Sequence, residues 1–211
     1  MTETTNKTDA QCKICRQAGK KLNLKGERCN STKCAMTSHS AAPGVHGAKR
    51  RAKKSQYGIQ LAEKQRAKEI YGLREKQFSN WFKKAGKKGD AGVLLLQMLE
   101  SRLDNVIFKL GIAMSRPQAR QMVSHGMFLV NDIKVNIPSY LVKTGDIIEI
   151  KKNKKQKKVF VDLEKKVKKV EMPSWLHFDL LEGKAKVLHA PKETDIDQSI
   201  DRQAIVEFYS K

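Results

Sequence analysis

The chain has 211 residues and a formal net charge of +21, because 43 lysines and arginines outnumber 22 aspartates and glutamates. Such an excess of positive charge destabilises a compact protein unless a polyanion neutralises it, which argues against an ordinary enzyme and favours a nucleic-acid-binding protein. The chain also lacks both the run of about 20 apolar residues that a membrane span requires and the apolar core of a secretory signal, so we expect a cytoplasmic protein without a membrane partner. With a nucleic acid as the expected partner, we expect no small-molecule substrate.

The first distinctive segment is CKICRQAGKKLNLKGERCNSTKC, which begins at position 12 and holds every cysteine of the chain. Two pairs, Cys12 with Cys15 and Cys29 with Cys34, have the spacing of a tetrahedral Zn²⁺ site. A bound metal would supply the ordering free energy that the few apolar residues of this segment cannot. We therefore expect a short N-terminal knuckle in which these four thiolates hold one structural Zn²⁺ ion.

Three other interpretations of the cysteines stay open. A disulfide is disfavoured in a reducing compartment, four reduced thiols on an unstructured arm need no metal, and His39 or His46 could replace one thiolate. His46 lies in the loop PGVHG, where contact with a phosphate or a turn-capping role suits it better. Because four sulfurs leave no coordination position for water, the expected site is structural and not catalytic.

A basic run follows this loop and opens a helical region. Its five candidate RNA-contacting residues lie within six positions and are Lys49, Arg50, Arg51, Lys53 and Lys54. A solvated helix end is the alternative for such a run, but the overall charge favours contact with a nucleic acid. The segment IQLAEKQRAKEIYG then predicts a helix with its lysines outward. Phe78, Trp81, Phe82 and Ala85 follow at helical spacing as one apolar stripe of the core.

The most regular apolar pattern lies in VLLLQMLESRLDNVIFKLGI, at residues 93–112. Its leucines, valine and isoleucine repeat at intervals of three and four, which predicts one continuous helix ending at Gly111. The next segment predicts a shorter helix, because Ser115 is a suitable N-cap and Gln118 completes a capping box.

Basic side chains mark one face of this shorter helix. Arg116 and Arg120 lie one turn apart, and Ser124 follows a further turn on. Two guanidiniums at that spacing, near the positive end of the helix, are suited to adjacent phosphates. We expect substitution of both arginines to weaken RNA binding while the fold persists.

Three short strands are predicted next, at MFLV, IKVN and DIIEI, so the unit is two helices packed on a small curled antiparallel sheet. The first hairpin turn is Asn131-Asp132, where Asn-Gly is common. Asp tolerates a positive φ less readily than Gly, so we expect either some strain or another turn type there. The run KKNKKQKK at positions 151–158 contains six lysines and favours contact with nucleic acid over a solvated linker. The chain after it is predicted to be helical and then irregular.

These residues carry a family resemblance. The segment ESRLDNVIFKLGIAMSRPQARQMVSHGMFLVNDIKVNIPSYLVKTGDIIEI closely resembles the S4 RNA-binding domain. LKGERC, PGVHG, EKQRAKEIYG and EFYSK extend the resemblance over essentially the whole chain, to the bacterial small-subunit ribosomal protein S4 family with a four-cysteine N-terminus. Many members of that family lack the cysteines, so the expectation of zinc rests on their spacing in this chain.

The resemblance implies an α+β fold. A mostly helical domain is built from the two chain ends, and a module of two helices and a small curled β-sheet is inserted between them. We assign residues 1–48 to the zinc-knuckle arm, residues 49–92 and 171–211 to the helical domain, and residues 93–170 to the inserted RNA-binding module with its lysine-rich segment.

The resemblance also implies a function and partners. Family members are primary binders of 16S rRNA that contact a multi-helix junction in the 5′ domain and nucleate assembly of the subunit body. They also lie near the path by which mRNA enters, touch ribosomal protein S5 and contribute to translational accuracy. We therefore expect a structural, non-enzymatic constituent of the small ribosomal subunit, with mRNA as a further candidate partner. Within the module, the candidate RNA-contacting residues are Arg116, Arg120, Ser124, His125 and Lys134.

An enzyme and a transcription factor are the two alternative functions that these motifs suggest. The same module occurs in RNA pseudouridine synthases and a tyrosyl-tRNA synthetase, and SRLDN resembles the motif that carries the catalytic aspartate of the synthases. Asp104 is predicted to lie within a helix, however, where a salt bridge, for instance to Arg102, is the more natural role. A zinc-containing transcription factor would need base-reading side chains at regular offsets, which only Arg116, Gln118 and Arg120 offer.

Overall fold

The structure, a computed structural model, describes residues 7–48, 53–86, 90–160, 163–167, 170–180 and 182–210. The chain divides into two compact units. The first comprises Met1–Glu75 and Ile200–Lys211, and the second comprises Lys76–Ser199. Within the described ranges, none of the helices has the length and apolar character that a membrane crossing requires.

The described secondary structure is mixed. The α-helices are α1 (Lys7–Ala18), α2 (Ala35–Ser38), α3 (Gln56–Ile70), α4 (Glu75–Ala85), α5 (Ala91–Glu100), α6 (Leu103–Lys109), α7 (Arg116–Ser124), α8 (Leu163–Val167) and α9 (Arg202–Tyr209). The strands are β1 (Phe128–Val130), β2 (Ile133–Val135), β3 (Ile147–Ile150), β4 (Leu176–Asp179) and β5 (Lys184–Val187). Short 3-10 turns lie at Gly26–Asn30, Lys152–Lys154, Lys158–Phe160 and Glu193–Asp195.

In the first unit, α3 packs against α9, so segments from both chain ends build one body. Lys64 is 5% exposed, donates to the Glu75 carboxylate at 2.7 Å and lies 4.2 Å from the centroid of the Phe208 ring. Gln60 donates from Nε2 to Glu207 at 2.7 Å. The prediction that every lysine of α3 points outward is therefore wrong for Lys64. A carboxylate and an aromatic face offset the cost of taking its ammonium out of water.

The second unit is organised around an antiparallel five-stranded sheet with the order β2-β1-β3-β5-β4. Alternate residues of its strands face the core, among them Val130, Ile148, Ala185 and Phe178, which lie in register across four strands. They form one buried cluster with apolar side chains of α6 and α7. The sheet thus supplies the base on which α7 is mounted.

The sheet is larger than predicted, because Leu176–Asp179 and Lys184–Val187 form strands instead of irregular chain. β5 pairs with both β3 and β4. Gly183, with φ of +69°, allows the turn from β4 into β5. The segments 76–92 and 171–199, which we assigned to the helical domain, lie in the second unit. Residues 171–199 belong to the second unit because they contain β4 and β5, and β5 completes the hydrogen bonding of β3.

The predicted single helix over residues 93–112 is two helices, α5 and α6, separated at Ser101 and Arg102. Arg102 has an extended ψ of 137°. The flanking backbone pairs with a distant loop instead, since Leu103 N donates to Tyr140 O at 2.8 Å and Val142 N donates to Ser101 O at 3.0 Å. Apolar spacing continues through the break, which is why periodicity alone did not indicate it.

The hairpin between β1 and β2 keeps the backbone of a type I′ turn. Asn131 and Asp132 have φ values of 49° and 63°, and both central residues of that turn type require a positive φ. The side chain of Asn131 makes two hydrogen bonds at 2.9 Å, one donated to the Asp146 carboxylate and one accepted from Ile147 N. We expected either strain or another turn type at Asp132. The turn type is unchanged, so Asp132 adopts the unfavourable positive φ.

Replacing Asp132 by glycine is expected to stabilise the second unit by roughly 0.5 to 1 kcal/mol, because relief of the left-handed strain exceeds the added freedom of the unfolded chain. Urea denaturation followed by tryptophan fluorescence would measure the change. The control is Asp132→Ala, which keeps a Cβ at the same φ and removes the polar side chain, and it should lower the stability. A destabilised Asp132→Gly protein would contradict this account of the turn.

Candidate nucleic-acid interface

The orientation of α7 is set by hydrogen bonds at its first turn. Ser115 Oγ accepts from Gln118 N at 3.4 Å, as the predicted N-cap requires. Gln118 Oε1 accepts from Met114 N at 2.8 Å, so the reciprocal bond reaches one residue further back than in a standard capping box. Gly126, with φ of +60°, turns the chain from the end of the helix into β1.

A buried polar network lies beneath α7. Arg102 donates from Nε and NH2 to the Asp104 carboxylate at 3.0 and 2.6 Å, and both residues are at most 5% exposed. Asn105 donates from Nδ2 to Glu100 Oε2 at 2.6 Å and accepts from Arg116 Nε at 2.8 Å. The prediction that Asp104 is a salt-bridge partner of Arg102 is confirmed. The SRLDN motif therefore joins α5, α6 and α7.

Arg116 is largely committed to contacts within the protein. Besides its bond to Asn105, its guanidinium carbon lies 4.6 Å from the centroid of the Phe108 ring. Burial raises the pKa of Asp197, but hydrogen bonds from Ser199 and the positive charges of Arg116 and Lys109 outweigh this, so the net pKa lies below the usual aspartate value. The role of Arg116 in contacting RNA stays a prediction, and its anchoring of α7 is a second role that spacing did not indicate.

The four other candidate residues of the module form what we call the α7–β2 surface, which consists of Arg120, Ser124, His125 and Lys134. The Arg120 side chain is 43% exposed, and its NH1 atom lies 3.8 Å from Asp104 Oδ2. Ser124, His125 and Lys134 are exposed. A methyl group added to Gly126 would approach Lys134 Cε to 2.5 Å, so the lysine stem packs directly over this glycine. The end of α7 and the strand β2 thus expose two cationic side chains, a hydroxyl group and an imidazole ring to solvent.

The basic run before α3 is described only in part. Lys49, Arg50 and Arg51 lie outside the described residues. Lys53 and Lys54 are exposed and precede α3, whose N-cap Ser55 accepts from Gly58 N at 3.2 Å. These two lysines belong to the first unit, whereas the α7–β2 surface belongs to the second.

The lysine-rich segment 151–158 borders the outer face of the sheet. Lys151, Lys152 and Lys155 line a groove of about 620 Å³ together with Lys184 of β5. Lys184 lies 3.3 Å from Glu149 and 3.2 Å from a Glu182 carboxylate oxygen, so acidic side chains neutralise part of this face. Sequence reasoning did not single out Lys184, although the alternation of lysine and apolar residues in β5 is the signal of an outward-facing residue on a strand.

The cysteine segment has regular secondary structure and is not an unstructured arm. Cys12 and Cys15 lie three residues apart on α1, so they share a helix face, and no turn is needed to bring them together. Cys29 lies in the 3-10 turn and Cys34 is the N-cap of α2. Gly19 and Gly26 have φ of +70° and +61°, a backbone conformation that glycine adopts without strain where the chain folds back.

Three of the four thiols are buried, namely those of Cys15, Cys29 and Cys34. Lys25 N donates to Cys29 Sγ at 3.3 Å. Burial raises the pKa of the Cys15 thiol, the hydrogen bond from the Leu22 backbone opposes this, and the other three cysteines add to the rise. Among the residues that the structure describes, no three His, Cys, Asp or Glu side chains lie close enough together to hold a metal ion.

Two families of known proteins match consecutive parts of the chain. Residues 6–100 match the family described as "Ribosomal protein S4/S9 N-terminal domain", and residues 101–148 match the one described as "S4 domain". The boundary between the two matches coincides with the break between α5 and α6.

Full-length relatives are similar throughout. The "Small ribosomal subunit protein uS4" of Syntrophomonas wolfei is 47% identical over 205 residues, which cover 97% of this chain and 98% of the relative. The protein of the same name in Acetivibrio thermocellus is 48% identical with the same coverage, and that in Caldicellulosiruptor bescii is 50% identical over 95% of this chain and 96% of the relative.

Proposed function

The chain belongs to the uS4 family of small-ribosomal-subunit proteins, and from this premise we propose that it is a primary binder of 16S rRNA in the 5′ domain. Members of the family are structural and non-enzymatic, which agrees with the absence of catalysis expected from the sequence. The observation that carries the proposal is the S4 domain at residues 101–148, whose α7–β2 surface offers Arg120 and Lys134 to phosphates.

The proposed mechanism is electrostatic and geometric. Lysine and arginine side chains displace the counterions condensed on RNA, and Ser124 and His125 add polar groups suited to 2′-hydroxyls or phosphates. Because A-form RNA hides the base edges of its major groove, shape and backbone position carry the recognition. Lys53 and Lys54, with Lys49, Arg50 and Arg51 before them, supply a second cationic group on the first unit. Two separate cationic regions suit a junction of several RNA helices better than a single straight duplex.

The family resemblance supports further roles as part of the same proposal. We propose that binding to the multi-helix junction nucleates assembly of the subunit body. We also propose that the protein touches ribosomal protein S5, lies near the path by which mRNA enters, and contributes to translational accuracy. Its place of action is then the cytoplasmic ribosome.

The proposal is tested by measuring how the purified chain binds the isolated 5′-domain RNA, a straight RNA duplex of equal length and duplex DNA. We expect tight binding to the junction RNA and much weaker binding to both duplexes. The chain should also enter reconstituted small subunits before proteins that require a formed body. Equal affinity for all three nucleic acids, or absence of the chain from the particle, would overturn the proposal.

We also propose that Cys12, Cys15, Cys29 and Cys34 hold one structural Zn²⁺ ion. The support is their pair spacing, a donor set of thiols that Zn²⁺ prefers, and the backbone N–H of Lys25 pointing at Cys29 Sγ as it would at a metal-bound thiolate. In the described arrangement no three of these groups share a metal-sized site, so binding requires the sulfurs to move toward a common centre. The ion would cross-link α1 to the turn that carries Cys29.

Removing this ion is expected to loosen residues 12–34 and little else. A strong zinc chelator should take one Zn²⁺ per chain and raise amide hydrogen exchange in that segment, while exchange in β1 and β3 stays unchanged, because the second unit has its own core. Cys15→Ser should reproduce the effect without chelator, and Thr32→Ala serves as a control at an exposed position of the same segment. Metal-free protein after purification in the presence of zinc would contradict the proposal. Global unfolding on chelation would contradict the limited reach assigned to the metal.

A further inference from the structure

We propose that the first unit contains a pocket for one unstacked guanine base of the bound RNA, recognised by the guanidinium of Arg66. The inference rests on the proposed RNA-binding function and adds to it a base-specific contact. It concerns a site on α1 and α3 of the first unit, which the last lysine of the basic run, Lys54, borders.

The pocket lies between α1 and α3 and has a volume of about 370 Å³. Its walls include Ile14 and Ala18 from α1 and Leu61 and Ala62 from α3, all of them partly exposed apolar residues. A cavity of this size with apolar walls and a few polar groups is typical of sites for small flat ligands. A single nucleobase is such a ligand, and single-stranded parts of folded RNA present bases that can be turned out of the stack.

Arg66 is the polar residue that sets the chemistry of this pocket. It lines the pocket and is only 4% exposed. Its NH1 atom donates to both oxygens of Glu63 at 2.7 and 2.8 Å, whereas its Nε and NH2 atoms are buried and have no hydrogen-bond partner within the described part of the chain. Burying donors without an acceptor is costly, about 1 to 3 kcal/mol each and more on a charged group. An acceptor supplied by a ligand would remove this cost.

The unsatisfied edge of Arg66 selects for two neighbouring acceptors. Nε–H and one NH2 hydrogen point in parallel, which is the arrangement that arginine uses to contact O6 and N7 of guanine. Adenine offers N7 but presents an amino donor beside it, so one of the two bonds is replaced by a clash of donors. Uracil lacks two neighbouring acceptors on one edge. Cytosine offers O2 and N3 on its Watson–Crick edge, but its single ring covers less of the apolar walls than the two rings of guanine.

The surrounding charges favour a neutral base over a phosphate. Glu63 already balances the charge of Arg66, and Glu69 lines the same pocket. A phosphate seated beside Arg66 would therefore meet two carboxylates, whereas guanine carries no net charge. Lys20 and Lys54 also line the pocket and are exposed, so they are suited to the phosphates that flank the inserted base.

Entry of the base requires a small rearrangement of one side chain. The Nε and NH2 atoms are shielded from water, so they must turn toward the cavity when the base enters. The pair formed by NH1 and Glu63 can act as the pivot, because the carboxylate accepts hydrogen bonds over a broad range of directions. The energy gained by satisfying two donors drives the movement.

The first test measures binding of guanosine monophosphate to the full chain by ¹H–¹⁵N NMR. We expect resonances of α1 and α3 to shift with guanosine monophosphate, and at least about tenfold weaker binding of adenosine monophosphate, the discrimination of a bidentate base contact. Arg66→Lys keeps the charge but loses the fork, and Leu61→Trp fills the cavity, so both should abolish the difference between the nucleotides. Equal shifts with both nucleotides, or none in α1 and α3, would overturn the inference.

The second test uses the RNA itself. Dimethyl sulfate methylates guanine N7, so a guanine in the pocket should be protected on 5′-domain RNA by the unmodified chain and exposed again with Arg66→Lys. Thermal unfolding of each variant establishes that it is folded, and Lys76→Arg is a matched control on an exposed helical position. RNA binding with identical guanine protection for both proteins would overturn the pocket but leave the proposed function standing. Failure of the unmodified chain to bind the RNA would instead overturn the proposed function.

Discussion

Replacing Asp104 by alanine is expected to destabilise the second unit by about 3 to 5 kcal/mol, because the change leaves a buried guanidinium without its carboxylate. Arg102 is 2% exposed and donates two hydrogen bonds to Asp104. The same carboxylate accepts from Asn105 N at 2.9 Å, so the first turn of α6 loses a partner as well. The loss is larger than for a surface ion pair, since water cannot solvate the charge that remains.

Urea denaturation followed by tryptophan fluorescence would measure this loss. Both tryptophans, Trp81 and Trp175, lie in the second unit, so the signal reports the unit that contains Asp104. Glu171→Ala removes an exposed acid of the same unit and should change the unfolding free energy by less than about 0.5 kcal/mol. A loss below about 1 kcal/mol for Asp104→Ala would show that the network is not a buried ionic anchor.

Affinity for the 5′-domain RNA is expected to fall about 10³- to 10⁵-fold between 50 and 200 mM salt, if six to ten phosphates are contacted. Replacing Arg120 and Lys134 together by alanine should reduce the slope of log affinity against log salt by about 1.4 to 1.8, since each lost phosphate contact contributes about 0.7 to 0.9. Arg116 is left unchanged in this variant, because its bond to Asn105 would confuse lost binding with lost stability. Since Arg120 also lies 3.8 Å from Asp104, thermal unfolding of the double variant checks that it is folded.

The matched control for this variant is Lys184→Ala. Glu149 and Glu182 lie within 3.3 Å of Lys184, so its charge is already balanced and its removal should leave the slope nearly unchanged. Titrations of the unmodified chain, the double variant and the control against one RNA would supply all three slopes. An unchanged slope for the double variant would contradict the assignment of the α7–β2 surface.

Local signals in the sequence predicted most of the elements that carry the candidate site. Ser115 predicted the start of α7, and the alternation around Asn131-Asp132 predicted the first hairpin. Leu99, Leu103 and Val106 are all buried, as their spacing indicated. These predictions succeed because capping and periodicity depend on neighbours within one or two turns.

The features that sequence reasoning missed depend on distant partners. The break at Arg102 exists because Leu103 and Val142 find hydrogen bonds across the chain. β4 and β5 are short, and their strand conformation depends on β3 as a template. Likewise, spacing places Arg116 on the same helix face as Arg120 but cannot show that Asn105 and Phe108 hold it. Long-range backbone pairing and competition between side chains leave no periodic pattern in a single sequence, so they could not be predicted from it.

The packing of α3 against α9 has a consequence for the order in which the protein matures during synthesis. The second unit is one continuous stretch, so it can fold as soon as it has left the exit tunnel of the translating ribosome. The first unit lacks Phe208 and Tyr209 until the last turn of α9 has been made, and Lys64 until then has no aromatic face to cover it. The nascent chain therefore presents a folded S4 domain while the first unit still lacks its C-terminal helix α9.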